Sequence, residues 1–342
     1  MKVRNVLVAG GAGYVGAHTC KLLAESGYLP ITFDKLSTGH KDFVRWGPLI
    51  VGDIRDSEAV AKAIVDNEVS SVLHFAAHAY VGESVTDPQK YYENNVAGTV
   101  SLLKGMLAGG CKKLVFSSTC AIYGEPDRVP ISEETQPNPV NPYGASKLMV
   151  ERILRDYHRA YDLCWIALRY FNAAGADIDA EIGEMRDPET HLIPRAMMML
   201  QGHVDNFEVY GSDFPTLDGT AVRDYVHVTD LASAHVSALK RLHEGRVGNT
   251  ALNLGTGVGY SVRDVLKAIE KETGEELPTV SGPRREGDPA VLVAEVANAK
   301  MELGFEPRHS DLETIVRTAW AWHRKAHPRM KRPRGQGMTE VI

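Results

Sequence analysis

The feature that most limits the fold lies at the start of the chain. A β-rich run, Val3–Ala9, ends directly in Gly10, Gly13 and Gly16, which open a helical stretch reaching about Ser26. Glycine allows a tight strand–helix turn and lets backbone N–H groups at the helix N-terminus approach a pyrophosphate. A tight turn with no ligand is the plain alternative. Pro30–Asp34, Pro48–Gly52, Ser71–Phe75 and Lys113–Ser118 read as further strands, with helical patterns near Ser57–Asp66 and Pro88–Ala108. A helix over about Pro142–Ala160 begins with Asn141 as cap and Pro142 in its first position, and strand-like Cys164–Arg169 follows it. This repeated alternation predicts an α/β fold, a doubly wound parallel sheet of the Rossmann type with helices on both faces.

The chain has 342 residues, more than one hydrophobic core usually supports, so two lobes are expected. After Asn172 the texture changes. Stretches rich in Gly, Asp, Pro and Thr (Ala173–Thr190 and Gly211–Thr220) separate shorter elements. The expected division is a nucleotide-binding domain over 1–172, to which parts of the later chain return, a smaller C-terminal α/β lobe over 173–325 that binds substrate, and a basic, flexible tail over 326–342. The basic run from Arg324 to Arg334 (Arg324, Lys325, Arg329, Lys331, Arg332 and Arg334) reads as a solvated tail rather than a binding element. The net charge of -6 gives no general attraction to nucleic acid or anionic membrane. No apolar run approaches the ~20 residues needed to span a bilayer. Cys20, Cys111, Cys120 and Cys164 form no C-x-x-C pair and no Cys/His cluster with zinc spacing, so no metal is expected. With no signal peptide, they point to a reducing cytoplasm. The run Met197-Met198-Met199 reads as core rather than as a ligand box.

Asp34 ends the second predicted strand, where a carboxylate can hydrogen-bond the ribose hydroxyls of an adenosine and repel a 2′-phosphate, so NAD is expected over NADP. The neighbouring cation Lys35 works against that preference. Asp53, after the third strand, is placed to meet the adenine edge, a reading compatible with its capping the next helix.

Tyr143 and Lys147 are spaced i, i+4 on the predicted helix and share one face. A free phenol has a pKa near ~10 and is a weak base at neutral pH. A nearby ammonium and a positive nicotinamide ring both favour phenolate. Tyr and Lys four apart also occur by chance in many helices. The distinguishing mark is position, one helix after a strand ending in Ser117-Ser118-Thr119, whose last hydroxyl can bridge the phenol and a substrate oxygen.

With these residues in place the chain resembles the extended short-chain dehydrogenase/reductase family. The resemblance runs from the first strand to about Trp322. It is carried by Gly10–Gly16, His74–Ala77, Val81–Ser84, Tyr91–Asn95, Ser117–Gly124, Asn141–Lys147, Arg169–Asn172, Asp218–His227 and Arg284–Asp288. It implies that Tyr14 and Val15 lie under the NAD pyrophosphate, and that Asp34, Lys35, Leu36, Ser37, Thr38 and Gly39, with Asp53 and Ile54, hold the adenosine. Phe75, Ala76, Ala77, His78, Ala79 and Asn94 would line the cofactor, and Phe171 would touch its nicotinamide end. Thr119, Tyr143 and Lys147 would carry catalysis. Asn172, His191, Leu192, Tyr210, Arg223, Arg285, Asp288 and Leu292 fall on nucleotide-sugar positions. Arginines suit a diphosphate because they give charge-assisted donors, although Arg223 and Arg285 would serve equally in ion pairs.

The activity implied is C4 epimerisation of a UDP-sugar, interconverting UDP-glucose and UDP-galactose through a 4-keto intermediate. UDP-xylose/UDP-arabinose and UDP-GlcNAc are alternative substrates. Three positions depart from the better-known bacterial pattern. Ala79 stands for a lysine that reaches the cofactor, and His191 stands where asparagine is common. Leu292 is intermediate between the bulky residue that excludes N-acetylated sugars and the small one that admits them. A 4,6-dehydratase needs an additional acid and base after the Ser/Thr, whereas Cys120, Ala121 and Ile122 follow Thr119. A non-catalytic NAD sensor usually loses the Tyr or the Lys, and both are kept. The resemblance also implies a homodimer through the helices near Pro88–Ala108 and Pro142–Ala160. There Leu103, Met106, Leu148 and Tyr157 are either contact surface or monomer core.

Overall fold

The computed structural model describes residues 4–246, 248–285 and 287–330. Its first half alternates strands and helices: β1 (Arg4–Ala9), α1 (Tyr14–Glu25), β2 (Tyr28–Asp34), β3 (Leu49–Val51), α2 (Ser57–Asp66) and β4 (Val69–His74). Two short helices follow, α3 (Val81–Thr86) and α4 (Pro88–Tyr91); a π-helical turn, Tyr92–Ala97, then leads into α5 (Gly98–Ala108). After these come β5 (Lys113–Thr119), α6 (Pro142–Tyr161) and β6 (Cys164–Tyr170). The second half contains β7 (Asn172–Ala174), α7 (Leu192–Leu200), β8 (Glu208–Tyr210), β9 (Val222–His227), α8 (Val228–Glu244), β10 (Thr250–Leu254) and β11 (Gly259–Ser261). It ends with α9 (Val262–Thr273), β12 (Val280–Gly282), β13 (Val291–Leu292), α10 (Ala297–Leu303) and α11 (Leu312–Ala326).

Seven parallel strands form the main sheet in the order β10-β6-β5-β4-β1-β2-β3. Successive side chains of a strand point to opposite faces, so each strand feeds two cores. Leu7, Ile31 and Phe33 pack with Val60, Leu102 and Val150 under α2, α5 and α6. Val6, Val8 and Leu73 pack with Leu23, Leu231 and Leu239 under α1 and α8. The chain order reverses between β1 and β4. In such sheets ligands bind beyond the strand C-terminal ends at this reversal.

β7, β9, β11 and β13 form a smaller sheet, and β8 pairs with β12. Ile193, Met197, Val265, Ile269, Ile315 and Val316 join α7, α9 and α11 in its core, so the methionine run is packing material. The chain returns to the large lobe in α8, β10 and α10.

Part of the expected tail is ordered structure. α11 continues to Ala326, Arg329 donates to Glu275 at 2.5 Å, and the Met330 N–H donates to the Gln201 carbonyl at 3.0 Å. Lys331, Arg332 and Arg334 lie outside the described residues. Leu103 and Met106 are fully buried in the large core, and Leu148 and Tyr157 pack partly against core clusters. The apolar side chains that α5 and α6 expose are instead Val100, Met149 and Tyr161.

Candidate active site

The glycine turn is shaped for close approach. Gly10 has φ +82°, and a Cβ there would lie 2.5 Å from the Ala76 nitrogen. A Cβ on Gly16 would lie 2.2 Å from the Gly10 carbonyl oxygen, so only glycine lets α1 pack this close to the turn. At Gly13 the one neighbour is that same oxygen at 3.4 Å, and no side chain caps the helix. Val15 is partly exposed in the first turn, whereas the buried Tyr14 sends its hydroxyl across to the Gly175 carbonyl at 2.6 Å.

Asp34 accepts from the Ala12 and Leu36 N–H groups at 3.0 and 2.8 Å, which fixes its carboxylate beside the turn and leaves lone pairs for further donors. Leu36 takes φ +58°, Ser37 and Thr38 are exposed, and Gly39 lies against Asp34. Lys35 turns away to Asn94, at 3.0 Å, and Asp53, at 3.6 Å, so its charge is matched before it can offset Asp34. Burial would raise the Asp53 carboxyl, but Arg55 and Lys35 outweigh it and hold the group at about 2. Asp53 is not the cap of α2; Asp56 is, accepting from the Glu58 and Ala59 N–H groups. Ile54 packs into the core against Gly98.

Past β4, the Phe75 and Ala76 N–H groups donate to the Ala9 carbonyl, which holds the loop through Ala77, His78 and Ala79 beside the glycine turn. Asn95, not singled out from the sequence, binds both the N–H and the carbonyl of His78 and also reaches the Ser146 hydroxyl. Asn94 and Asn95 sit in the π-helical turn, a distortion frequent at functional sites. The donors at the turn, the open space above Gly13 and the carboxylate at the end of β2 fit an adenine dinucleotide without a 2′-phosphate.

Thr119, at the end of β5, caps the 3₁₀ turn Cys120–Tyr123. Asn141 caps α6 by accepting from the Gly144 N–H at 2.9 Å, which sets Tyr143 and Lys147 in the first two turns facing the β5 terminus. Lys147 is buried, donates to the Ser117 carbonyl at 2.8 Å and lies 4.8 Å over the Phe116 ring. Burial pulls its ammonium down to about 7. Burial raises the Tyr143 phenol well above its usual range, Tyr170 adds to this, and the Thr119 hydroxyl opposes it. The expectation of a depressed phenol is therefore not met by the chain alone. Burial dominates the shift, and Thr119 and the charge of Arg186 oppose it only in part.

The base of α6 is tied to the sheet by a network that the sequence did not reveal. Glu151 accepts from Ser118 at 2.7 Å and from two nitrogens of Arg169 at 2.9 and 2.6 Å. Arg169 also donates to Tyr123 at 2.8 Å, and Tyr123 donates to Asn253 at 2.7 Å. Tyr170, also missed, pairs its hydroxyl with Ser117.

Asn172, His191 and Leu192 line a cavity of about 50 Å³ shared with Glu184, Tyr225 and His323. The Nδ1 of His191 lies 3.0 Å from Glu189 and 3.3 Å from Glu184. These three residues bring possible metal ligands within 4.8 Å of one another. The same carboxylates already serve Arg186 and the Thr190 and His191 N–H groups, which makes the cluster an ion network. Arg223 pairs with Asp288, and Arg285 stacks 4.0 Å over Tyr210. The ion pair weighed for Arg223 is thus present, while Arg285 is held by an aromatic face. Leu292 packs with Cys120, Ile122 and Phe171, close to Thr119.

A dinucleotide cradle and a Tyr–Lys–Thr group meet at the reversal point of a parallel sheet, which defines a nucleotide-dependent enzyme of the short-chain dehydrogenase type. Residues 6–255 match the model of the NAD dependent epimerase/dehydratase family, and the chain belongs to that family. It is 50% identical over 327 residues to a UDP-glucose 4-epimerase of Rhizobium leguminosarum bv. trifolii, covering 96% of this chain and 99% of that protein. The crystal structure of UDP-glucose 4-epimerase from Brucella ovis in complex with NAD superposes with a TM-score of 0.91 at 54% identity, over 93% of this chain and 98% of that one. A Stenotrophomonas maltophila UDP-glucose 4-epimerase with bound NAD and formylated UDP-arabinopyranose also has a TM-score of 0.91, at 40% identity over 94% of this chain and 98% of that one.

Proposed function

We propose that the chain is an NAD-dependent UDP-sugar 4-epimerase that interconverts UDP-glucose and UDP-galactose. The observation that carries this reading is the convergence of Thr119, Tyr143 and Lys147 beside the glycine turn and Asp34, with the apolar Cys120–Ile122 after Thr119 where a dehydratase needs a carboxylate.

Bound NAD+ supplies a hydride acceptor for C4 and returns the hydride to it. Tyr143 takes the proton of the sugar 4-hydroxyl and later gives it back, with Thr119 bridging phenol and sugar oxygen. Lys147, one turn further along the same helix, would hold the cofactor ribose. Arg285 on Tyr210, with Arg223, anchors the diphosphate while the 4-keto sugar turns its other face. Leu292 packs with Cys120, Ile122 and Phe171, and its intermediate size keeps UDP-GlcNAc as an alternative substrate. A pentose substrate is the second reading, supported by the arabinose nucleotide in the Stenotrophomonas structure.

Purified protein should interconvert UDP-glucose and UDP-galactose without added reductant. Tyr143→Phe should lower kcat by about 10³-fold or more while NAD stays bound. Net release of NADH by the wild type contradicts the scheme.

The chain acts as a homodimer through α5 and α6, a reading supported by exposed Val100, Met149 and Tyr161 on those helices. It works in the cytoplasm, which its four free cysteines support. Among the described residues, no helix is long and apolar enough to cross a membrane.

A further inference from the structure

Position 79 is alanine, and the next side chain, Tyr80, reaches across the cleft. Its hydroxyl donates to the Pro188 carbonyl at 3.0 Å, the Arg186 guanidinium lies 5.5 Å over its ring, and its ring centroid is 6.3 Å from that of His191. The Tyr80 backbone is fixed from behind. Its N–H lies 3.0 Å from the Tyr91 hydroxyl, and that hydroxyl is 2.6 Å from its carbonyl. Tyr91 is fully buried and meets Tyr143 edge-on, with ring centroids 6.5 Å apart at 78°.

On the other wall, the Arg186 Nε donates to Glu184 at 2.8 Å, and the Glu184 carbonyl accepts from Trp322 at 3.0 Å. The ion pair engages only Nε, so the two Nη groups are not committed to Glu184. Contacts therefore run without a gap from Tyr143 through Tyr91, Tyr80, Arg186 and Glu184 to His191. They join the loop after β4, at the cofactor cradle, to the loop before α7, at the cavity lined by Asn172 and His191. The charge of Arg186 opposes the burial that raises the phenols of Tyr80, Tyr143 and Tyr170, in keeping with a guanidinium in the cleft between them.

We propose that Tyr80 and Arg186 form a clasp across the cleft that keeps the sugar pocket shut over Tyr143 while the oxidised sugar turns, with Arg186 as a positioning residue. This inference rests on the 4-epimerase reading. Once C4 has given its hydride to NAD+ and its hydroxyl proton to Tyr143, the sugar is a ketone and the cofactor is reduced. A ketone that escapes leaves the reduced cofactor behind and strands the enzyme. Because the pocket must let the sugar turn, it cannot retain it by tight contacts to every hydroxyl. Closure at the mouth does so instead.

The test uses the full-length protein with bound NAD and four variants: Tyr80→Ala, Arg186→Gln, the two combined, and Arg186→Lys. The first two should each weaken UDP-glucose binding by calorimetry about tenfold, the scale of one lost hydrogen bond. Each should also accumulate reduced cofactor during turnover, seen by its near-ultraviolet absorbance, with KM rising more than kcat falls. The double variant should match either single one, because one break opens the clasp. Arg186→Lys should recover part of the binding, since it keeps the charge but loses the planar fork. An active wild type whose single variants bind normally and accumulate no reduced cofactor, or whose two losses simply add, overturns the clasp and leaves the epimerase reading intact. A wild type that interconverts neither sugar overturns the reading on which the clasp rests. Thermal unfolding of each variant separates lost closure from lost fold.

Discussion

Lys147 is an ammonium placed where water cannot reach it, with a single carbonyl and an aromatic face for company. Burial holds its pKa at about 7 instead of the usual 10.5, and this has a definite effect on stability. Between those values the unfolded chain binds the proton and the folded chain does not, so stability rises with pH through that window. Below pH 7 both states carry the proton, and the penalty for burying it is complete. Lys147→Met removes the charge at similar length. In the ligand-free protein it should therefore raise Tm most at pH 6, with the gain shrinking toward pH 10, while turnover is lost. A gain that is constant with pH, measured by thermal melts across that range, contradicts this cause. That Tyr143 and Lys147 share one helix was legible from their spacing. The direction of the Tyr143 shift was not, because it depends on how much apolar surface surrounds the phenol.

At the scale of elements, α6 is held in register by Glu151, one turn beyond Lys147, through Ser118 on β5 and Arg169 on β6. Both members of the Glu151–Arg169 pair are almost fully buried. Removing one partner strands the other charge, so Glu151→Gln should cost about 3–5 kcal/mol of unfolding free energy, read from the urea midpoint at unchanged m-value. Replacing both by apolar residues (Glu151→Leu with Arg169→Met) should recover much of that loss. A midpoint unchanged by Glu151→Gln contradicts the role. The ends of this helix were visible in the sequence because Asn141 and Pro142 act locally. The glycine turn was visible for the same reason. The network beneath the helix was not, since Ser118, Glu151 and Arg169 meet only once three elements have packed. The π-helical turn at Tyr92–Ala97 escaped notice too, because a region whose helical pattern runs from Pro88 to Ala108 gives no sign of one widened turn.

For the whole molecule, the large sheet followed from β–α alternation, whereas the second lobe, built of strands of two to six residues, carried too little periodic signal to be drawn in advance. Which side of a helix faces water was equally hidden. Leu103 and Met106 proved to be core, and Met149 and Val100 face outward. If α5 and α6 pair between two copies, Met149→Glu places a charge in an apolar contact and should convert the dimer to monomer in analytical ultracentrifugation. A wild-type protein that sediments as a monomer contradicts the assembly. The most direct test of the chemistry follows one atom. UDP-glucose carrying deuterium at C4, incubated with purified protein in ordinary water and without added cofactor, should yield UDP-galactose with the deuterium still at C4, because the hydride leaves and returns within one closed site. Loss of the label to solvent, or its appearance in free reduced cofactor, would contradict epimerisation through a 4-keto sugar.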